Sequence, residues 1–274
     1  QGTSTIAIGD TAGCYKQSNQ AIAMGYGAGY SGQAVNTVAI GVNAGNTGQL
    51  SGAVAIGFTA GYQAQSANTV AIGQAAGQVS SGSQSIAIGA SCCASGQGLL
   101  AVAIGPSAGR YAQSIQTVAC GSNAGNSAQG SSSVAIGSNA GTSSQGPNCI
   151  AVGSAAGRYN QSSTAVALGI SAGFCGQGSN SVAIGNQAGY SGQAGNAIVI
   201  NATGNIVNNG ATNSCVIAPI RNATSANYLL YDSSAGEVTY DTSISSLKYK
   251  ENVIDLRKEY TDAIYKLRPV EFDF

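Results

Sequence analysis

The chain has 274 residues, with 40 Gly, 7 Cys, 1 Met and no His or Trp, and its 10 Lys+Arg balance its 10 Asp+Glu. Charged residues make up only 7%, against about 25% in an average soluble domain. Catalysis and metal sites that need His are excluded. The balanced charge leaves no electrostatic footprint for nucleic acid, and 43% apolar content at zero net charge argues against disorder. No apolar run approaches the roughly 20 residues that cross a bilayer, so no membrane insertion is expected. The text opens at Gln1, mid-pattern and without Met, as a fragment or processed product would.

From the first residues a repeat dominates. Gly9, Gly25, Gly41, Gly57, Gly73, Gly89, Gly105, Gly121, Gly137, Gly153, Gly169 and Gly185 recur every 16 residues without insertion. Ala stands two residues before each, and Ile or Val three before. Gly returns four residues after, except at Cys93, and Gln eight after, except at Ser81. The V-A-I-G block alternates large and small residues, which is the period of a strand, and Val and Ile suit one. The glycines that follow break it into turns. The fold class expected is all-β, a parallel β-solenoid of twelve 16-residue coils over residues 1–200. Repeated Gly, costing about 1 kcal/mol each in a helix, rules out a helical repeat.

Burial of large aliphatics is the usual driving force, so Val and Ile are expected to fill each roll. The Ala/Gly face is then expected to pack against sister chains. Gln17, Gln33, Gln49, Gln65, Gln97, Gln113, Gln129, Gln145, Gln161, Gln177 and Gln193 form a candidate amide ladder, each side chain bonding its neighbour one coil away. The blander alternative is a turn position that tolerates Gln.

Three blocks, Ser85-Ile86-Ala87-Ile88-Gly89, Ser133-Val134-Ala135-Ile136-Gly137 and Ser181-Val182-Ala183-Ile184-Gly185, closely resemble the head repeat of trimeric autotransporter adhesins. The resemblance covers about residues 1–200. It implies a left-handed β-roll and a homotrimer; the spacing alone shows neither.

Beyond Gly185 the repeat decays, with Asn201 in the next Gly place. Residues 201–244 read as transition coils and a β-hairpin neck, Tyr228–Tyr231 and Glu237–Tyr240 around a Gly-containing turn. Only Asp10, Lys16, Arg110 and Arg158 carry charge before residue 200; the other 16 charged residues follow it. Residues 251–267 read as a short helical segment with Val253, Leu256, Tyr260, Ile264 and Leu267 on one face, ended by Pro269.

The text Ser245-Ser246-Leu247-Lys248-Tyr249-Lys250-Glu251-Asn252-Val253, followed by Leu267-Arg268-Pro269-Val270-Glu271-Phe272, resembles the start of the intramolecular chaperone domain of phage tailspikes, endosialidases and large-virus fibres. That resemblance makes 245–274 the beginning of a truncated chaperone that trimerises a fibre and then releases itself. It implies Ser245 as nucleophile and Lys250 as base, with the bond before Ser245 broken. A desolvated Lys can lose its proton and serve as base without a His. The alternative is a Ser-rich linker that caps a helix, with Lys250 solvated.

The seven Cys fall in different columns without C-x-x-C spacing, so they read as reduced, mostly buried thiols from a reducing cytoplasm, with no metal or cofactor site. Tyr15, Tyr30, Tyr62, Arg110, Tyr111, Arg158, Tyr159, Phe174 and Tyr190 gather just past the second Gly of their repeats, as corner packing or as a contact surface. Asn160, Asn201 and Asn222 stand in N-x-S/T sequons. The expectation is a virion-surface or extracellular fibre, whose partners are its own copies, other virion proteins and a host receptor or glycan. The alternatives are a bacterial autotransporter-like adhesin head and an ice-binding solenoid. The latter calls for a Thr column, which the repeat lacks. A glycan-degrading tailspike needs paired carboxylates, and Asp10 is the single acid before residue 200.

Overall fold

The structure, a computed structural model, describes residues 1–221 and 228–241. The chain divides into two units, Gln1–Ile220 and Arg221–Phe274. The first unit is a parallel β-solenoid. A 14-stranded sheet takes the V-A-I triplet of each coil in order, from Ile6–Ile8 to Cys215–Ala218. An 8-stranded sheet takes the triplets ending in the Gln column, from Gln63–Gln65 to Cys175–Gln177. Isolated bridges carry this second sheet on through Tyr15, Ser31 and Thr47 at one end and Ser191 at the other. Every pairing in the long sheet joins equivalent residues of adjacent coils, as in Val134↔Ile150 and Ala135↔Ala151. At about 4.8 Å per strand, its fourteen strands extend roughly 62 Å.

The 16-residue coil closes because several residues per turn adopt left-handed backbone. In one coil these are Gly137 (φ 124), Asn139 (58), Gly141 (51), Ser144 (56) and Asn148 (58). Gly137 is compulsory twice over. Its φ is closed to side chains, and a Cβ there would lie 2.6 Å from the Gly153 carbonyl oxygen. Ser144 is the middle residue of its strand, so the second sheet pairs only the flanking positions, Ser143↔Tyr159 and Gln145↔Gln161.

The interior reverses the expected arrangement. Ala39, Ala55, Ala103, Ala119, Ala135 and their column mates from Ala23 onward are sealed, together with the Ala44–Ala188 column and the Gln column. Val and Ile instead face outward: Ile104 is 40%, Ile136 41% and Leu168 45% exposed. The small face therefore lines each roll, and the expectation that it packs against sister chains is overturned. The reason is the width of the coil. A Cβ on Gly141 would lie 3.2 Å from Ala135 Cβ and 2.8 Å from Gln145 Oε1. In the regular coils the two walls are held one Gln side chain apart, which leaves no room for branched aliphatics.

The stack continues past Gly185. Ile198–Asn201 pairs with Val182–Ile184, and Cys215–Ala218 pairs with Ile198–Asn201 at an offset of 17 residues. Val199 takes the Ala place and is fully buried. The helix expected over 251–267 lies outside the described residues.

In the second unit, Tyr228–Asp232 and Glu237–Asp241 form an antiparallel hairpin. Gly236 takes φ 72, and its N–H donates to the Asp232 carbonyl at 2.8 Å. The Asp232 carboxylate Oδ1 accepts from Ser234 Oγ (2.6 Å), Ser234 N (2.8 Å) and Ala235 N (3.2 Å).

Candidate functional site

The outer face of the long sheet carries two columns of aliphatic side chains, one on each side of the sealed Ala. Because the register is exact from coil to coil, the columns are continuous. They run from Ile6 and Ile8 through Val102 and Ile104 and Val134 and Ile136 to Ile198 and Ile200. The side chains of this face are partly exposed along its whole length, and a contiguous apolar area of this length marks an interaction surface. The alternation large–small–large did signal a two-faced strand, but carried no indication of which face is inner.

Inside, the Gln column ties the two sheets together. Gln49 Nε2 donates to the Val38 carbonyl across the roll at 2.9 Å and to the Ala53 carbonyl at 3.1 Å. The same bond to the residue eleven positions earlier recurs at Gln65, Gln97, Gln129, Gln161 and Gln193. Amide-to-amide bonds join Gln33 to Gln49 and Gln49 to Gln65. Others join Gln113 to Gln129, and Gln145 to Gln161 to Gln177. The ladder is thus laid down in runs, and the cross-roll bond to backbone is the constant element. Buried polar groups need such partners; Oε1 of Gln17, Gln33, Gln145 and Gln193 has none within the protein.

Asn209 continues this column at the far end. It is 5% exposed and its Nδ2 reaches the Ile198 carbonyl at 3.5 Å. Asn201, in the Gly column, buries its amide as well: Nδ2 donates to the carbonyls of Asn186 (2.7 Å) and Asn205 (2.6 Å), and Oδ1 accepts from Thr203. This sequon Asn is therefore closed to modification in the folded chain. Asn160 is exposed, and Asn222 lies outside the described residues.

The aromatic edge is packed against itself. Tyr15 meets Tyr30 edge-on at 5.2 Å; Tyr159 meets Phe174 at 5.6 Å, and Phe174 stacks on Tyr190 at 4.8 Å. The Arg158 guanidinium covers Tyr159 at 4.9 Å and Phe174 at 5.7 Å, and Arg110 covers Tyr111 at 5.0 Å. These are attractive cation–π contacts.

All seven Cys are free thiols. Only Cys92, Cys93 and Cys149 are buried; Cys14 and Cys215 are exposed, so the expected general burial holds for fewer than half. A hydrogen bond with Cys92 and burial push the Cys93 thiol far up, and burial raises Cys149. Neither is a nucleophile at neutral pH.

Ser245 and Lys250 both lie outside the described residues. Among the described residues no helix is long and apolar enough to cross a membrane. No family model, curated protein or solved structure matches the chain.

Proposed function

We propose that this chain is the head or shaft of a homotrimeric fibre, displayed on a virion surface and serving attachment to a host. The observation that carries the reading is the outward-facing double column of Val and Ile along the long sheet. Three copies turned about one axis bury these columns on each other, and a closed cyclic arrangement leaves no such face in water. The resemblance of the repeat to trimeric adhesin heads supports this assembly. The resemblance of 245–274 to a fibre chaperone supports a viral origin over a bacterial adhesin, and assembly in a reducing cytoplasm fits seven unpaired thiols. In that reading the C-terminal segment aligns three chains before the solenoids zip together. With the rest of its domain attached, Ser245 Oγ attacks the Ile244 carbonyl while Lys250 takes the hydroxyl proton and returns it to the departing Ser245 nitrogen, and water hydrolyses the resulting ester to free the two chain ends.

Light scattering on the purified chain tests the assembly. A mass of three times 26.9 kDa, about 81 kDa, is expected. Replacing Ile104 and Ile136 together with Asn should reduce it to one chain of unchanged secondary structure. A wild-type monomer, or a trimer indifferent to those changes, overturns the reading.

A further inference from the structure

In eleven of the twelve coils the residue two places after the repeat Gly carries a side chain, for example Thr11, Asn43, Ser107 and Asn123. Gly27 alone is bare. A cleft of about 300 Å³ opens at that place, lined by Thr11, Tyr26, Gly27, Tyr30, Asn43 and Asn46. That volume is at the lower end of small-molecule sites. A Cβ on Gly27 would run into Asn43 Oδ1 where that amide now stands, so a side chain there must shift the amide.

The walls are fixed in place. Asn46 Nδ2 donates to the Gly27 carbonyl at 2.9 Å and to Asn43 Oδ1 at 3.3 Å. This leaves one amide donor, Asn43 Nδ2, and one amide acceptor, Asn46 Oδ1, without a partner among the described residues. Tyr30 is held edge-on by Tyr15, and the hydrogen bond between the two phenols raises the Tyr30 pKa. Tyr26 is 56% exposed. From it, Val42 and Phe58 continue an exposed apolar ridge in the same column of the next two coils, 41% and 54% exposed. No lining residue is charged.

The rest of the solenoid supplies a comparison. Asn126 Nδ2 bonds the Ser107 carbonyl (3.0 Å) and Asn123 Oδ1 (3.4 Å), repeating the Asn43–Asn46 pair. There, however, Ser107 stands in the Gly27 place, with Pro106 and Arg110 in those of Tyr26 and Tyr30. The amide pair is thus a structural element of the roll. The bare Gly and the two Tyr are additions confined to one place.

We propose that this cleft binds a hexopyranose unit of a neutral glycan. A pyranose has an apolar C–H face suited to an aromatic ring and adjacent hydroxyls that donate and accept, matching the free Asn43 amide NH2 and the free Asn46 amide oxygen. The absence of charge in the lining disfavours sialic or uronic acids. The ridge through Val42 and Phe58 runs along the stack, so further units of an oligosaccharide lie over it. This site deepens the attachment reading given above, because it names the chemistry that attachment would use.

The test is saturation-transfer NMR on the full chain with the methyl glycosides of glucose, galactose, mannose and N-acetylglucosamine at millimolar concentration. Transfer to at least one is expected. Both Tyr26→Ala and Gly27→Ser should weaken it about tenfold or more, with melting unchanged, since Ser107 shows that the roll accepts Ser there. Absence of transfer to all four sugars, or transfer unaltered in both variants, overturns the site. Light scattering on the same samples separates the two readings. Sugar binding by a monomer keeps the cleft and removes the trimeric fibre; a trimer without sugar binding keeps the fibre and removes the cleft.

Discussion

The middle and the flanks of one strand have opposite environments. In Val134–Ile136, Ala135 is sealed while Ile136 is 41% exposed. Usually the larger side chain is the buried one. Here the interior is sized for Ala walls bridged by one Gln amide, and the larger residues are left outside for another surface to cover. The difference separates two jobs that hydrophobic residues generally do together. The inner column sets whether a coil closes, and the outer columns set what the closed roll associates with.

The most damaging way to break this comparison is Ala135→Leu. Its Cβ lies opposite Gly141 and Gln145, so added methylenes must force the walls apart. Overpacking costs about 1–3 kcal/mol in ordinary cores. In a roll with no other slack the upper end of that range is expected, seen as a fall in urea midpoint or as insoluble chain. Ile136→Asn should change the unfolding free energy of the separated chain by no more than about 0.5 kcal/mol. Its effect should appear in native mass instead. An Ala135→Leu chain as stable as wild type would place the Ala column at an outer surface after all.

Next in size is Gln145→Leu, close in volume but without the amide. It removes the donor to the Val134 carbonyl at 3.0 Å and to Gln161 Oε1 at 3.1 Å. Unsatisfied buried groups cost about 1–3 kcal/mol, and chemical unfolding should register a loss in that range. No loss would mean that the column acts as filler and that its hydrogen bonds are incidental.

One irregular coil sharpens the point. Ser81 interrupts the Gln column, and in the following coil Cys93 replaces the Gly that normally makes room for the amide. With a Cβ at 93, Gln97 still bonds the Ile86 carbonyl at 2.8 Å, but its Oε1 accepts from Ser85 Oγ at 3.0 Å. The Cys93 thiol in turn meets Gln113 Oε1 at 3.2 Å. The Gln97 amide thus turns toward Ser85, four residues after the shortened Ser81. Ser81→Gln should therefore destabilise alone yet become harmless with Cys93→Gly, a coupling of about 0.5–3 kcal/mol in a double-mutant cycle. Additive effects would dissociate the two replacements.

These columns also show what can be read before any coordinates. The 16-residue period locates the strands, their parallel register and the turns, because an insertion-free repeat can only stack on itself. It does not say which face of V-A-I is inner. In a three-residue strand alternation is symmetric between faces, and area-based reasoning picks the larger residues. The signal that decides lay in the pairing of two other columns: a Gly four residues before every Gln except Gln97, vacant because the amide oxygen sits where a Cβ would be. Gly141 looked like a turn residue, and it is one, but it is also the space for Gln145. The cleft at Gly27 was less legible still. It depends on one missing side chain, set against two Tyr and two Asn that only the coil geometry brings together.

The hairpin gives the smallest effect and the reverse arrangement, since its turn is held by a charge in full contact with water. Bonds from the Ser234 hydroxyl, then from the backbone N–H groups of Ser234 and Ala235, hold the Asp232 carboxyl below its ordinary value. A carboxylate depressed in the folded state contributes stability above its unfolded pKa, near 3.9. That contribution is lost as pH falls through the lower folded value. In a chain labelled with 13C-aspartate, Asp232 should titrate below the free-aspartate value near 3.9. Ser234→Ala should move it back toward that value and loosen the turn only slightly, while the solenoid, whose interior depends on amides that do not titrate, keeps its unfolding midpoint over the same range. An Asp232 that titrates at the free value, or a solenoid that softens in step with it, would mean that the two units do not differ in this way.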